Sequence, residues 1–246
     1  MKAMILAAGL GTRLRPLTDT RPKALVEING RTLLEITLTR LRAFGVNEVI
    51  INVHHFADLV VDYLKSHNNF GTRIEISRED DLLLDTGGGL KKASWFFLEK
   101  GRHSPPEPFL LHNVDVISTI DLRRMLQFHN EHGVLATLAV QSRESSRLLL
   151  FNDKNQLVGR GAPDSPLATQ HSRLALAFSG IHIISPRLLP LLTEEGVFSI
   201  INAYLRLASQ GEKILAFRAD EYYWRDLGRP ADLSQAALDL KQHLVE

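Results

Sequence analysis

A glycine-containing loop near the start of the chain has the residue types that bind phosphate. The apolar run Met4-Ile5-Leu6 fits a buried strand, and it leads into Ala7-Ala8-Gly9-Leu10-Gly11-Thr12-Arg13. The small residues let a ligand approach the backbone closely, so that N–H groups can hold phosphate oxygens. The cations that follow are Arg15, Arg21 and Lys23, with only Asp19 opposing them. This loop therefore predicts a site for a polyphosphate such as a nucleoside triphosphate.

The loop differs from the two most common phosphate-binding fingerprints. Leu14 stands where the dinucleotide fingerprint needs its third glycine, which that motif uses for close packing of helix against strand. No Gly-Lys-Ser/Thr sequence ends a four-residue gap, as a Walker-type loop would require.

A second candidate group lies after a later apolar stretch. Phe109 to Leu111 predicts a short strand that leads into His112-Asn113-Val114-Asp115. Asp115 would then lie at the carboxyl edge of a parallel sheet, where such folds bind ligands. Magnesium prefers carboxylate oxygens and needs only one or two of them beside substrate phosphate. Asp115 is therefore a candidate Mg²⁺ ligand.

Three consecutive glycines mark a third candidate region, Asp85-Thr86-Gly87-Gly88-Gly89. Glycines let the backbone pass close to a flat base or a ribose, with no side chain in the way. We expect a turn here between a strand and a helix over 89–98, with Thr86, Gly87 and Gly88 binding the nucleotide. A purely structural turn is the alternative, and it applies best to Gly89.

Taken together, two segments resemble the signature of the sugar-1-phosphate nucleotidyltransferases. They are Leu6-Ala7-Ala8-Gly9-x-Gly11-Thr12-Arg13-Leu14-x-Pro16-Leu17-Thr18 and Pro22-Lys23-x-Leu25. The triple glycine is most similar to the branch that includes N-acetylmuramate-1-phosphate uridylyltransferases, and mannose- and heptose-1-phosphate guanylyltransferases share parts of the pattern. The resemblance implies an enzyme that makes an NDP-sugar and pyrophosphate from an NTP and a sugar 1-phosphate, with Mg²⁺. It also implies a role in nucleotide-sugar biosynthesis, here for the cell envelope.

The resemblance also implies roles for individual residues. Arg13 would hold the β- and γ-phosphates, and Lys23 would stabilise charge at the α-phosphate. Tyr223-Trp224-Arg225-Asp226-Leu227-Gly228-Arg229-Pro230 resembles a family segment that makes Asp226 the partner of Asp115 on one Mg²⁺. Ala7, Ala8, Gly9, Gly11 and Thr12 would contact the nucleotide. Arg15 and Arg21 are interpreted as surface charges.

The sugar side is less complete than the nucleotide side. Asn113 and Gly180, in Phe178-Ser179-Gly180-Ile181-His182, match family positions that line the sugar pocket. Trp224 would stack on the ligand or simply pack, and packing is the more common outcome for a tryptophan. Val114 replaces the small residue usual between Asn113 and Asp115. A Glu-Lys-Pro element, in which many relatives place a sugar-binding glutamate, is not recognisable before Phe178.

The amino-acid composition limits the kinds of partner that the protein is expected to bind. The 246 residues include 44% hydrophobic and 23% charged residues, as in a soluble globular protein, and the net charge is +1. This balance gives no general field for nucleic acid or a membrane surface. The chain has no cysteine, no apolar run near ~20 residues, and no signal-like start, so we expect a cytoplasmic protein. We expect a monomer or homodimer.

Strand and helix patterns alternate through residue 140, which predicts an α/β fold. We expect the nucleotide-diphospho-sugar transferase (Rossmann-like) fold, with a mixed, mainly parallel sheet and helices on both faces. A single domain over 1–246 would have a nucleotide-binding half at about 1–140 and a sugar-binding half at about 141–246. Segments 101–107 and 160–173 are interpreted as mobile loops.

Two alternatives remain open from the sequence. A phosphocholine cytidylyltransferase shares much of the N-terminal loop, and Tyr222, Tyr223 and Trp224 could form a cage for a quaternary ammonium group. A non-catalytic subunit could instead sense nucleotide sugars, although such a protein would lose Lys23, Asp115 or Asp226 first. The histidines His54, His55, His129 and His132 are interpreted as helix-surface or loop residues.

Overall fold

The computed structural model describes residues 1–98, 107–161 and 174–241. The predicted loops at 101–107 and 160–173 lie almost wholly outside these ranges. No helix in the described ranges is long and apolar enough to cross a membrane.

The elements alternate along the chain much as the sequence predicts. The strands are β1 (Lys2–Leu6), β2 (Glu27–Ile28), β3 (Arg31–Thr32), β4 (Glu48–Val53), β5 (Arg73–Arg78), β6 (Phe109–Asn113), β7 (Val116–Ser118), β8 (Ala136–Gln141), β9 (Leu148–Phe151), β10 (Leu157–Arg160), β11 (Leu174–Ile184), β12 (Ile214–Arg218) and β13 (Trp224–Asp226). The α-helices are α1 (Leu33–Ala43), α2 (Ala57–Ser66), α3 (Asp85–Lys92), α4 (Ser94–Leu98), α5 (Leu122–His132), α6 (Ile200–Ser209) and α7 (Pro230–Lys241). Short 3₁₀ turns include Thr12–Leu14, Lys23–Leu25 and Pro186–Leu191.

Local sequence signals explain several helix boundaries. The Thr32 hydroxyl accepts a hydrogen bond from the Glu35 N–H and caps α1, as the Thr-x-x-Glu spacing predicts. Asp121 caps α5 in the same way, and Ser199 caps α6.

The triple-glycine segment is helical, which corrects the prediction of a turn. Helix α3 begins at Asp85 and includes Gly87, Gly88 and Gly89. These glycines serve close packing instead: a Cβ on Gly88 would lie 2.5 Å from the Gly196 carbonyl oxygen, and one on Gly89 would lie 2.8 Å from Glu79 Oε1. The low helix propensity of glycine favours the prediction of a turn. It does not account for the tight contacts that only the tertiary fold creates, in which glycine is needed within the helix.

In the described ranges, a mixed nine-stranded sheet forms the centre of the molecule, in the order β10-β9-β11-β6-β1-β4-β5; β8 also pairs with β11, and β12 pairs with β8. Strands β6, β1, β4 and β5 are parallel, whereas β11 runs antiparallel to β6, β8 and β9. Buried apolar residues pack on both faces. Helices α1, α2, α5 and α7 cover one face, and α3, α4 and α6 cover the other. The predicted α/β architecture is confirmed.

Strand β11 joins the two parts of the sheet. Its far end, Ile181–Ile184, pairs with β6 beside the parallel strands, and its start pairs with β9. The register against β8 shifts between Phe178 and His182, where Gly180 has a φ of +74°. This irregularity places Gly180 next to the end of β6, where Asn113 lies.

Candidate active site

A cavity of about 500 Å³ opens at the carboxyl ends of the parallel strands β1, β4 and β6. It has residues from all three nucleotide-side motifs in its wall, as expected for an open α/β sheet. The lining residues are Leu6, Ala7, Ala8, Gly9, Gly11, Thr12, Arg13, Lys23, Asn52, Leu83, Asp85, Thr86, Asn113, Val114, Asp115, Val197 and Gly228. The structure therefore brings most of the predicted nucleotide-binding residues together.

The glycine-containing loop is fixed at both ends by contacts within the cavity wall. At its start, the Ala7 N–H donates to Asn52 Oδ1 at 2.8 Å, and Asn52 Nδ2 donates to Glu79 Oε1 at 2.7 Å. At its end, Gly11 has a φ of +65°, and Thr18 Oγ1 donates to the Gly11 carbonyl at 2.9 Å. The chain then returns so that Lys23 lies beneath the loop.

Asn52 and Glu79 are site-supporting residues that the sequence analysis missed. Both are buried, and Glu79 also accepts a hydrogen bond from the Leu84 N–H just before α3. Together they connect the glycine-containing loop to the start of that helix. A signal was available, because Asn52 is the only uncharged polar residue within the apolar strand Glu48–Val53.

Lys23 and Asp115 form an ion pair deep in the cavity. Lys23 is only 7% exposed, which is unusual for a lysine and requires an anionic partner. Asp115 follows β6, and its backbone carbonyl accepts a hydrogen bond from the Leu227 N–H at 2.8 Å. That bond connects the loop after β6 to the segment that contains Asp226.

Asp226 reaches the same region through an antiparallel ribbon formed by β7 and β13, in which it lies opposite Val116. Arg13 Nη2 lies 3.8 Å from Asp226 Oδ1, and the Gly228 N–H donates to this oxygen at 2.8 Å. A Cβ on Gly228 would come within 2.7 Å of Arg13 Cζ, so only glycine fits beside the pair. The ribbon and the Leu227 N–H bond therefore hold the segment of Asp226 beside the loop that contains Asp115. That the two carboxylates act together stays a prediction.

This donor set fits magnesium. Two carboxylates, one after β6 and one at the end of β13, leave the remaining positions of an octahedral shell to phosphate oxygens and water, as Mg²⁺ prefers. Among the residues that the structure describes, no cluster of three or more His, Cys, Asp or Glu side chains forms a preassembled metal site. Asp115 and Asp226 are the side chains that would hold the ion together with substrate.

Of the three predicted base-contacting residues, only Thr86 lines the cavity. Gly87 and Gly88 lie behind it, and both of their N–H groups donate to the Phe198 carbonyl, at 2.9 and 3.2 Å. Thr86 Oγ1 accepts a hydrogen bond from the Ile200 N–H, which anchors α3 to the start of α6.

Of the predicted sugar-binding residues, Asn113 lines the cavity, and Gly180 and Trp224 lie beside it, on the side of β11. A Cβ on Gly180 would lie 2.9 Å from Asn113 Nδ2, so these two residues are immediate neighbours. Trp224 Nε1 donates to the Ser179 carbonyl at 2.7 Å, and the guanidinium of Arg143 lies over the indole ring. Arg143 escaped the sequence analysis because it occurs in a polar segment, residues 142–147, without a motif.

Arg40 supports the loop that contains Asp115 from below. Its guanidinium donates to Ser118 Oγ at 2.7 Å and to the Ile120 carbonyl at 2.6 Å, and it lies 3.3 Å from His112 Nε2. Burial lowers the pKa of Arg40 to about 10. Burial, and then the charge of Arg40, lower the pKa of His112 to about 3, so this imidazole is neutral at pH 7.

One histidine interpretation is wrong. His129 is buried, with Nδ1 3.0 Å from Thr137 Oγ1, because α5 turns this face toward β8. His55 and His132 are exposed as predicted. The surface interpretation of Arg15 and Arg21 also holds, since they lie exposed near Asp19 and Glu27.

The three aromatic residues proposed as a cage do not converge. The Tyr222 hydroxyl accepts a hydrogen bond from Arg124, and the Tyr223 hydroxyl donates to Asp239 on α7. The Trp224 ring is covered by Arg143 on the other side of the strand. The geometry gives no support to a quaternary-ammonium pocket at this place.

Comparisons with known proteins agree with this geometry. Residues 2–148 match the family described as nucleotidyl transferase. The N-acetylmuramate alpha-1-phosphate uridylyltransferase of Caulobacter vibrioides is 34% identical over 252 aligned positions, covering 99% of this chain and 97% of that protein. The mannose-1-phosphate guanyltransferase of Candida albicans is 31% identical over 94% of this chain, which spans 62% of that relative's length.

A solved structure shows the same fold. The crystal structure of a UDP-glucose pyrophosphorylase complexed with UDP-glucose superposes with a TM-score of 0.78, at 19% identity and with 98% of both chains covered. The family match and the curated relatives show that the protein is an enzyme of the nucleotidyltransferase class. The chain belongs to the nucleotidyl transferase family, and the predicted resemblance to sugar-1-phosphate nucleotidyltransferases is confirmed.

Proposed function

We propose that the protein transfers a nucleotidyl group from an NTP to a sugar 1-phosphate. UTP with N-acetylmuramate 1-phosphate, or a related hexose or heptose 1-phosphate, is the proposed pair. The relative from Caulobacter vibrioides supports this choice, because it is aligned over nearly the whole of both chains. The guanyltransferase relative keeps GTP and mannose 1-phosphate as the second pair to test.

The observation that supports the reaction best is the arrangement of two cations and two carboxylates around one cavity. Lys23 pairs with Asp115, and Arg13 lies beside Asp226. An NTP in this cavity would place its β- and γ-phosphates at Arg13 and its α-phosphate at Lys23. Charge that develops on the α-phosphate is then neutralised in a partly buried place, where a fixed cation acts most strongly.

The proposed bond changes balance without a further reactant. An oxygen of the sugar phosphate attacks the α-phosphorus in line, the bond from the α-phosphorus to the bridging oxygen breaks, and pyrophosphate leaves with that electron pair. When bound, Mg²⁺ would neutralise phosphate charge as a Lewis acid. In this proposal Asp115 and Asp226 hold the ion.

The reaction needs no general base from the protein. A phosphate monoester has its second pKa near ~6, so the attacking oxygen is already ionised at neutral pH. Consistent with this, the described lining of the cavity contains no histidine.

The two sides of the cleft divide the substrates. We assign the nucleotide to Ala7, Ala8, Gly9, Gly11, Thr12 and Thr86, with Gly87 and Gly88 positioning Thr86 from behind. The acceptor sugar is assigned to Asn113, Gly180 and Trp224. Residues 1–140 and 141–246 then form the nucleotide and sugar halves of one domain. We further propose that the enzyme works in the cytoplasm as a monomer or homodimer.

A substrate grid tests the proposal. Pyrophosphate release is measured with Mg²⁺ for UTP, GTP, CTP and dTTP against N-acetylmuramate-, mannose-, glucose- and heptose-1-phosphate and phosphocholine. We expect one dominant combination, with UTP and a sugar 1-phosphate. A signal with CTP and phosphocholine alone would replace the proposal. No turnover together with clear nucleotide binding by calorimetry would favour a nucleotide-sugar sensor.

A further inference from the structure

Arg143 occupies an unusual position for an arginine. It follows β8, and its guanidinium carbon lies 3.6 Å from the centre of the Trp224 ring. Nη2 donates to the Phe178 carbonyl at 2.7 Å. A stacked plane and one hydrogen bond fix the orientation of the guanidinium, so its remaining N–H groups have defined directions.

Arg143 has no carboxylate in ion-pair contact among the described residues, and the charge of Asp226 acts on it only from a distance. The side chain is half-buried, yet among the described residues it forms no ion pair, and its Nε has no hydrogen-bond partner. Burial lowers the pKa of Arg143, although the negative charge of Asp226 opposes that shift. A partly buried cation without a counterion is costly, and the cost is relieved when an anion binds.

The surroundings of Arg143 leave room for such an anion. A cavity of about 800 Å³ is lined by residues 142–146 with Leu148 and Ala175. Its lining includes serine hydroxyls and the exposed Glu144, which forms no ion pair with Arg143. None of these residues belongs to the nucleotide cavity, so the two cavities are separate in the structure.

Trp224 and Phe178 connect Arg143 to the acceptor side. Trp224 is two residues before Asp226 in β13, and Phe178 is two residues before Gly180 in β11. An acceptor that rests on Gly180 and Asn113 with its phosphate near Asp226 would therefore lie against the ring that Arg143 covers. The unpaired charge is on the sugar side of the reaction, away from the β- and γ-phosphates.

We propose that Arg143 is a specificity-determining residue that binds an oxyanion of the acceptor, either its phosphate or a carboxylate substituent of the sugar. The inference rests on the proposed function, because it assigns a substrate group to the acceptor side of that site. It explains why a half-buried guanidinium is held in place by a tryptophan but pairs with no carboxylate among the described residues. Neutral sugars do not bind this position.

Kinetics of Arg143→Met give the first test. The KM for the sugar 1-phosphate should rise about 10- to 100-fold, as for the loss of a charged hydrogen bond, while the KM for the NTP changes less than about twofold. Arg143→Lys should recover part of the loss because it restores the charge. Arg147→Gln is the matched control, since Arg147 is exposed four residues away and does not line the cavity.

Two acceptors distinguish the source of the oxyanion. N-acetylmuramate 1-phosphate has a carboxylate that N-acetylglucosamine 1-phosphate lacks. A loss for the first acceptor alone assigns Arg143 to the carboxylate, and an equal loss for both assigns it to the phosphate. Unchanged acceptor KM values in Arg143→Met, or an equal rise in Arg147→Gln, would overturn the proposal.

A binding measurement separates this proposal from the proposed function. The chain has two tryptophans, so Trp95→Phe leaves Trp224 as the only indole fluorophor. In that background, N-acetylmuramate 1-phosphate should change Trp224 fluorescence, and glucose should not. Glucose 1-phosphate should change it only if the phosphate is the oxyanion that Arg143 binds. Arg143→Met should abolish the response. If the substrate grid shows no turnover but this response is present, the reaction proposal fails and the oxyanion site stands; the absence of any response refutes the site.

Discussion

The nucleotide side and the acceptor side of the cleft treat their cations differently. On the nucleotide side Lys23 pairs with Asp115, and Arg13 lies 3.8 Å from Asp226. On the acceptor side Arg143 rests on Trp224 and, among the described residues, has no ion pair. The first arrangement can exchange partners with a phosphate and a metal ion together, because each cation takes a phosphate while each carboxylate takes the metal. In our proposal, the second receives its ion-pair partner from the ligand.

This difference has a consequence for selectivity. A nucleotide without a metal ion would have to displace carboxylates from Lys23 and Arg13 and leave those carboxylates unpaired, which is unfavourable in a partly buried site. The nucleotide side therefore favours the metal complex of an NTP. The acceptor side imposes no such condition, and an anionic group alone suffices there.

The largest effect is expected from Lys23→Ala. Turnover should fall by about 10²- to 10³-fold, because in the proposed reaction Lys23 neutralises charge that develops in the transition state, whereas the dissociation constant of the NTP should change much less. Single-turnover kinetics with calorimetry on the same samples give both values. Arg21→Ala is the matched control, since Arg21 is exposed near Glu27. Near-normal turnover in Lys23→Ala would mean that Lys23 is not a catalytic residue.

The second largest effect is expected from Asp226→Asn. The amide keeps the shape of the side chain but loses the charge that a metal ligand needs, so the Mg²⁺ concentration for half-maximal activity should rise by at least about tenfold. Turnover measured against Mg²⁺ concentration checks this. Glu221→Gln, on the exposed segment before β13, should leave the Mg²⁺ curve unchanged. A normal Mg²⁺ curve for Asp226→Asn would mean that Asp226 only orients Arg13.

The nucleotide side was largely predictable from sequence for a physical reason. Parallel strands end in short loops at one edge of the sheet, so motifs after β1 and β6 had to converge there. Arg13, Lys23 and Asp115 accordingly line one cavity. The local chemistry of each loop was enough to predict that these residues share one cavity; which ligand each binds stays a prediction.

The acceptor side was predictable only in part, because it depends on contacts between distant segments. Arg143 acquires its position from Trp224 and Phe178, which are 81 and 35 residues away in the chain. No spacing rule connects these three residues. The prediction of a turn at the triple glycine was wrong for the same reason, since the packing of these glycines against Glu79 and Gly196 exists only in the folded protein.

Acidification should weaken the junction of the two sides. His112 on β6 and His182 on β11 are buried where these strands pair, and burial lowers the pKa of each to about 3. Below about pH 6.5 the unfolded chain binds protons that the folded protein excludes until about pH 3. The free energy of unfolding should therefore fall with decreasing pH in this window, by about 1.4 kcal/mol per pH unit for each histidine.

Urea unfolding at pH 7, 6 and 5 measures this slope. His182→Gln should reduce the pH dependence of the free energy of unfolding by the contribution of one histidine. His132→Gln, at an exposed position on α5, should leave this pH dependence unchanged. Equal slopes for the wild type and His182→Gln would mean that His182 accepts its proton in the folded state.

The smallest effect, on stability and on one substrate only, is expected from Gly180→Ala. A left-handed conformation costs a residue with a Cβ about 1–2 kcal/mol, and here the new methyl group would also lie 2.9 Å from Asn113 Nδ2. Gly133→Ala isolates the backbone cost, because Gly133 has a φ of +55° and no atom within 4 Å of the added Cβ. Thermal unfolding should show a larger loss for Gly180→Ala, by a few degrees at most. Only Gly180→Ala should raise the KM for the acceptor, and the KM for the NTP should stay unchanged. A rise in the KM for the NTP instead would place Asn113 on the nucleotide side and contradict the assignment of the two sides to different substrates.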